Sequence, residues 1–147
     1  LLYTIVHRAF MACLFRAPRV LFTQAAATRR SISMAASLED VKNLSELKAP
    51  PVLVFFTASW CEPCRAVMPH FQDISSRFEG PLLKMAQVDV TDLPDAARDY
   101  RVDAVPYFLV LRDGHVVERL AGNGPEEIEQ VAEKHALAFQ KLQEESR

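Results

Sequence analysis

Disulfide scaffolding is excluded by how little cysteine the sequence has, only three residues in 147. Half of the chain is apolar, and a chain of this length can bury one core without covalent staples. Cys61 and Cys64 are separated by two residues, and their pairing leaves Cys13 as the odd cysteine. The sequence therefore predicts one globular domain preceded by a segment of different character.

The sequence has no motif for a phosphate, nucleic-acid or zinc site. The chain after residue 38 has no glycine-rich phosphate loop, no repeat and no basic patch, and its acidity argues against a nucleic-acid partner. A zinc site needs four ligands, but His70, His115 and His135 are scattered and none has paired spacing with a cysteine. We therefore predict no metal.

Acidic residues are absent from the first 38 positions. The same stretch has five arginines and a net charge of +5, whereas residues 39–147 contain 19 acidic and 12 basic residues, a net charge of −7. An Arg-rich, acid-free segment of Ala, Leu, Phe, Ser and Thr is typical of an organelle transit peptide. We predict a mitochondrial presequence over residues 1–33, with cleavage near 29–33 and the matrix as destination.

Other interpretations of this segment remain open. It could be a membrane anchor, an arm retained in a larger assembly, or residues upstream of initiation at Met11 or Met34. Leu1 to Phe15 is too short, and too interrupted by His7 and Arg8, to span a bilayer. We therefore predict no membrane span.

From Leu38 onward the apolar spacing alternates between helical and strand periods, which indicates an α/β fold. The prolines after Ala49 end the first helix, and the Asp113-Gly114 pair predicts a hairpin. The predicted elements are a helix over 38–47, a strand over 52–56, a helix over 61–78, a strand over 82–90, a helix over 93–100, strands over 105–111 and 116–120, a helix over 125–142 and a polar tail over 143–147.

The cysteine pair follows a continuous apolar strand and opens a helix. A sulfur at a helix N-terminus lies near free backbone N–H groups and the positive end of the helix dipole, which stabilise a thiolate. This placement makes Cys61 a nucleophile and Cys64 the residue that resolves its mixed disulfide.

The segment from Val52 to Cys64, reading VLVFFTASWCEPC, resembles the strand and active-site signature of the thioredoxin family. Three further landmarks fit, namely Pro69 five residues after Cys64, the Val105-Pro106 pair and the Asp113-Gly114 hairpin. The resemblance implies a thioredoxin fold, an α/β domain over residues 34–142 with a central mixed sheet of four to five strands flanked by helices.

The resemblance also implies the roles of further residues. It makes Val105-Pro106 a cis peptide bond beside the disulfide, where the Val105 backbone can pair with an extended substrate segment. Trp60 would shield the cysteines and contact the substrate. Tyr107, where the family commonly has threonine, would lie on the same docking surface.

Two residues depart from the family pattern. Phe55 replaces the buried aspartate that is thought to relay a proton to the resolving cysteine, so resolution could be slower or use water. Glu62 replaces glycine, and with Pro63 it lies between the cysteines, where both are expected to modulate the acidity of the thiols. A carboxylate there disfavours the Cys61 thiolate and should make the pair more reducing.

The resulting prediction is a protein-disulfide reductase whose redox-active disulfide is Cys61–Cys64, with no bound cofactor. Its implied partners are protein disulfide substrates and an external donor such as a thioredoxin reductase. Two alternatives stay open. One is a structural subunit or assembly factor of a mitochondrial complex, and the other is a dedicated reductant for cytochrome c maturation, which the Cys-Glu-Pro-Cys tetrad also resembles. The latter usually has an extra helix-strand insertion, and only residues 80–93 are available for one here.

Overall fold

Nine elements follow one another along the chain. A computed structural model describes residues 32–34, 38–45, 48–78, 80–122 and 124–146. The elements are β1 (Ser33–Met34), α1 (Leu38–Leu44), β2 (Val52–Thr57), α2 (Glu62–Phe78), β3 (Lys84–Asp89), α3 (Pro94–Asp99), β4 (Tyr107–Arg112), β5 (His115–Ala121) and α4 (Pro125–Glu145). Cys13 and nearly all of the predicted presequence lie outside the described residues.

The strands form one mixed sheet in the order β1-β3-β2-β4-β5. The first three of these strands are parallel, β4 is antiparallel to β2, and β5 returns beside β4 through the predicted Asp113-Gly114 hairpin. Asp113 and Gly114 have φ values of 51° and 77°, the left-handed conformation that a tight hairpin turn requires. The predicted mixed sheet of four to five strands is confirmed.

β2 is central and all six of its residues are buried. Because side chains alternate across a strand, Leu53 and Phe55 pack in one cluster while Val54 and Phe56 pack in the other. Helices α2 and α4 cover the first face of the sheet, and α1 and α3 cover the second. Burial on both faces explains the uninterrupted apolar run in the sequence.

The first and last helices end at other residues than predicted, and one strand was missed. The first helix ends at Leu44 rather than near residue 47, because the Ser45 backbone N–H and hydroxyl both donate to the Lys42 carbonyl and turn the chain. The last helix continues to Glu145, so most of the predicted tail is helical. The strand β1 was not predicted, because two residues are too few to have a periodic signal.

Within the described residues, no helix combines the length and the apolar character needed to cross a membrane.

Candidate active site

The end of β2 determines where the cysteines lie. The Thr57 carbonyl still accepts a hydrogen bond from Val90 beyond β3, and the Cys61 backbone N–H then donates to the Ala58 carbonyl at 3.1 Å. This tight turn reverses the chain, so that α2 begins immediately after Cys61 and Cys64 lies in its first turn. The predicted placement of the pair at a helix start is confirmed.

Cys61 and Cys64 form a disulfide, with an S–S distance of 2.13 Å and 5.3 Å between their Cα atoms. The residues are only 3% and 1% exposed. The Cys64 backbone N–H donates to the Cys61 sulfur at 3.2 Å. This contact places a helix N-terminal amide against the sulfur that would hold negative charge when the disulfide is reduced.

Aromatic rings pack below the disulfide, in the same buried cluster as both cysteines. Phe55 stacks on Phe108 with ring centroids 4.7 Å apart and planes at 8°, and it meets Phe71 at 5.1 Å. Among the described residues, no Asp or Glu side chain is buried. At the position of the family's buried aspartate the chain thus has an apolar ring that can neither accept nor donate a proton.

The two residues between the cysteines are both exposed. Pro63 is in the first turn of α2, where its missing N–H costs no helical hydrogen bond. The Glu62 carboxylate accepts a hydrogen bond from the Arg65 guanidinium and forms an ion pair with it. Arg65 therefore offsets much of the repulsion that Glu62 was expected to exert on the Cys61 thiolate.

The Val105-Pro106 bond is cis, as the family resemblance implied. Pro106 is buried, and its carbonyl accepts a hydrogen bond from Gly122 at 3.0 Å, which fastens the start of β4 to the end of β5. Val105 is half-buried and lies before the paired register of β4 begins. Its backbone is therefore not part of the sheet ladder.

Trp60 is the most exposed of the large apolar side chains described, at 68%. It shares a surface groove with Val105, so the structure brings together two site residues that are 45 positions apart in the chain. Tyr107 is half-buried and packs against the cluster on the second face of the sheet. Only part of its side chain can meet a partner.

Sequence reasoning missed one polar cluster. His135 on α4 is buried, and its Nε2 lies 2.6 Å from Glu118 Oε2 on β5, while Lys134 Nζ donates to the same oxygen at 2.8 Å. The hydrogen bond from Lys134 is the main cause that lowers the pKa of Glu118, and His135 adds to it. No local pattern in the sequence indicates this cluster, because the partners are 16 and 17 residues apart on different elements.

The other two histidines among the described residues, His70 and His115, are exposed. Across the part of the chain that the structure describes, no group of three or more His, Cys, Asp or Glu side chains is arranged to hold a metal ion.

A disulfide buried at the junction of a central strand and a helix, beside a cis proline and an exposed tryptophan, defines a dithiol protein of the α/β class. A family model described as Thioredoxin matches residues 34–134. The chain belongs to the thioredoxin family.

Individual relatives agree with this assignment. The chain is 40% identical over 77 residues to an H-type thioredoxin of Fagopyrum esculentum, covering 52% of this chain and 65% of that one. It is 36% identical over 115 residues to thioredoxin-2 of Pyricularia oryzae, covering 73% of this chain and 66% of the relative. The chain thus spans about two thirds of the length of these two relatives.

A solved structure shows the same fold. The oxidised form of mitochondrial thioredoxin 3 from Saccharomyces cerevisiae superimposes with a TM-score of 0.64 at 26% identity, over 70% of this chain and 94% of that one.

Proposed function

We propose that this chain reduces disulfide bonds in other proteins by exchange with its own Cys61–Cys64 pair. The observation that supports this most strongly is the disulfide at the start of α2, with a backbone N–H directed at the Cys61 sulfur. The redox-active group is part of the chain, so the chemistry needs no bound cofactor.

The reaction is a two-electron exchange. The Cys61 thiolate attacks one sulfur of the client disulfide, which forms a Cys61–client bond and releases the other client sulfur as a thiolate. Cys64 then loses its proton and attacks Cys61. The Cys61–Cys64 bond forms, the second client thiolate leaves, and both client thiolates take up protons. Two electrons have passed from the dithiol to the client.

Phe55 affects the second step, in which Cys64 loses its proton and attacks Cys61. Because Phe55 offers no carboxylate and the described residues include no buried Asp or Glu, the Cys64 proton would leave toward water or toward the departing client sulfur. We therefore propose that resolution proceeds without an internal carboxylate base.

Clients would dock where Trp60 and Val105 meet. An extended client segment could pair with the Val105 backbone by strand addition, while Trp60 and Pro106 contact its side chains. Tyr107 is half-buried, so only the exposed part of its side chain would contact the client. An external reductase of the thioredoxin reductase kind would return two electrons to the disulfide after each cycle.

We propose the compartment from the N-terminal charge pattern. The acid-free, arginine-rich leader supports import into mitochondria, with the matrix as destination, and the likeness to a yeast mitochondrial thioredoxin is consistent with it. The functional domain would then be 34–142 with the final turn of α4 added. Processing near 29–33 must spare β1 if the edge of the sheet is to stay covered.

Reduction of insulin disulfides by the full chain, driven by dithiothreitol, tests the proposal. The natural protein should exceed the uncatalysed rate, and Cys61→Ser should abolish this excess. Cys64→Ser, reduced beforehand and mixed with insulin in the absence of dithiothreitol, should accumulate a mixed disulfide with the client. A natural protein no faster than its Cys61→Ser variant would contradict the assignment and favour a binding role in a larger assembly.

A further inference from the structure

A shallow groove opens beside the exposed Trp60, and we refer to it as the Trp60 groove. Its lining includes Val90 after β3, Pro94 and Ala97 on α3, and Val105, all of which are apolar. Its volume is about 240 Å³, below the ~300–1,000 Å³ that is usual for small-molecule sites. The groove is therefore suited to one or two side chains of a peptide segment rather than to a cofactor.

Asp103 is the one charged residue among those lining the Trp60 groove. It is exposed, and it forms no ion pair with any residue that the structure describes. Glu62, the carboxylate between the cysteines, is already paired with Arg65. Among the residues that line the groove, Asp103 is therefore the one that can present a negative charge to a docked segment.

We propose that Asp103 makes this protein select clients in which an apolar residue and a lysine or arginine lie close to the reactive cysteine. This inference rests on the proposed function, since it concerns which disulfides the Cys61 thiolate reaches. The apolar side chain would enter the Trp60 groove, and the cationic one would meet the Asp103 carboxylate at its rim.

The spacing follows from the backbone. Asp103 and Val105 both line the Trp60 groove, and an extended client segment advances about 3.3 Å per residue. A client residue about two positions from the one that pairs with Val105 can therefore reach Asp103. The net charge of −7 over residues 39–147 reinforces the preference for cationic segments at longer range.

The expected effect is modest, because the pair is exposed to solvent. Exposed ion pairs correspond to roughly 1.5- to 5-fold changes in an equilibrium or rate constant. The effect must also fall with salt, since the Debye length shrinks from about 10 Å at 0.1 M to about 3 Å at 1 M.

Three synthetic peptides provide the test. Each has one intramolecular disulfide and a leucine beside the attacked cysteine, and they differ only in having lysine, glutamine or glutamate two positions away. The full chain is reduced beforehand and mixed with each peptide in a stopped-flow instrument. The second-order rate constant is measured at low and at high salt, and two electrons pass from the Cys61/Cys64 dithiol to the peptide in each reaction.

The rate constants should rank lysine above glutamine above glutamate at low salt and converge at 1 M salt. Asp103→Asn should reduce the lysine-to-glutamate ratio, and Asp103→Lys should invert it. Glu133→Gln is the matched control, because it removes the same charge from the exposed side of α4, on the opposite face of the sheet from α3. It should leave the ratio unchanged.

Equal rates for the three peptides at low salt would overturn the proposal while leaving the reductase assignment intact. So would a ratio that Asp103→Asn does not change, or one that Glu133→Gln lowers as much, since net charge alone would then account for it. If the protein reduces none of the peptides and also fails with insulin, the proposed function is wrong, and this inference fails with it.

Discussion

Replacing Phe55 tests whether the ring below the disulfide stabilises the fold without changing the reduction potential of the disulfide. The side chain is fully buried and contacts two other rings, Phe108 at 4.7 Å and Phe71 at 5.1 Å. It belongs to the same cluster as both cysteines and has no charge. Its loss should therefore weaken packing to the same extent whether the cysteines are bonded or reduced.

The magnitude follows from the burial. Truncating a buried phenylalanine to alanine costs about 3–5 kcal/mol, including the cavity that remains. Phe55→Leu keeps most of the apolar contact and loses mainly the two ring pairs, each worth about 0.5–1.5 kcal/mol, so we expect about 1–3 kcal/mol in total. Since domains unfold with about 5–15 kcal/mol, the leucine variant stays folded and the alanine variant is marginal.

Urea unfolding of the oxidised and the reduced protein measures both effects. For each variant we expect the same loss of unfolding free energy in the two redox states, and hence an unchanged reduction potential. The Phe55→Leu variant keeps the test informative if Phe55→Ala does not fold. A difference between the two losses of more than about 1.4 kcal/mol, equivalent to about 30 mV, would show that Phe55 favours one redox state and would refute this reasoning.

Three further changes have distinct expected outcomes. Trp60→Ala should alter the unfolding free energy by less than about 0.5 kcal/mol, because the side chain is 68% exposed, yet slow insulin reduction about tenfold, as expected for an aromatic anchor. Glu118→Gln should destabilise the protein in urea at pH 7, where the carboxylate accepts from Lys134. That hydrogen bond lowers the pKa of Glu118 from its usual value of 4.5. The difference in unfolding free energy between the natural protein and Glu118→Gln should therefore be complete above pH 4.5 and should shrink as the pH falls through the lowered pKa. A difference that grows in acid would contradict this reasoning. Glu62→Gln should make the disulfide less reducing by up to about 20 mV against glutathione, because Arg65 balances most of the charge, and a shift in the opposite direction would disprove the repulsion.

The strength of the local signals explains which elements were predictable. β2 is recognisable in the sequence because a strand that is buried on both faces appears as an uninterrupted apolar run, here of six buried residues. The dithiol follows this run directly. The Asp113-Gly114 hairpin is equally local, since both residues adopt the positive φ values for which the pair is suited. α4 passed its predicted end because a polar helix face continues for a turn after the apolar stripe stops.

Contacts between distant elements were harder to predict. The hydrogen bond between Glu118 and His135 depends on α4 crossing β5 at one register, which neither segment encodes alone. The pairing of Glu62 with Arg65 was within reach, because residues three apart on a helix are neighbours. This ion pair reduces the expected effect of Glu62 on the Cys61 thiolate from clear repulsion to a small residual effect.

The strand order explains why the site forms at this edge of the sheet. β2 lies between β3 and β4, so the chain after Thr57 meets Val90 on one side and the segment before Tyr107 on the other. Since β4 is antiparallel to β2, its first residues lie beside the last residues of β2, where the cysteines begin. If another strand lay between β2 and β4, the disulfide would still form at the start of α2, but Val105 would no longer lie close to Trp60. The electron-transfer group thus depends on local sequence, whereas the docking surface depends on topology, and mutations that shift the register of β4 should impair client recognition before they impair the dithiol.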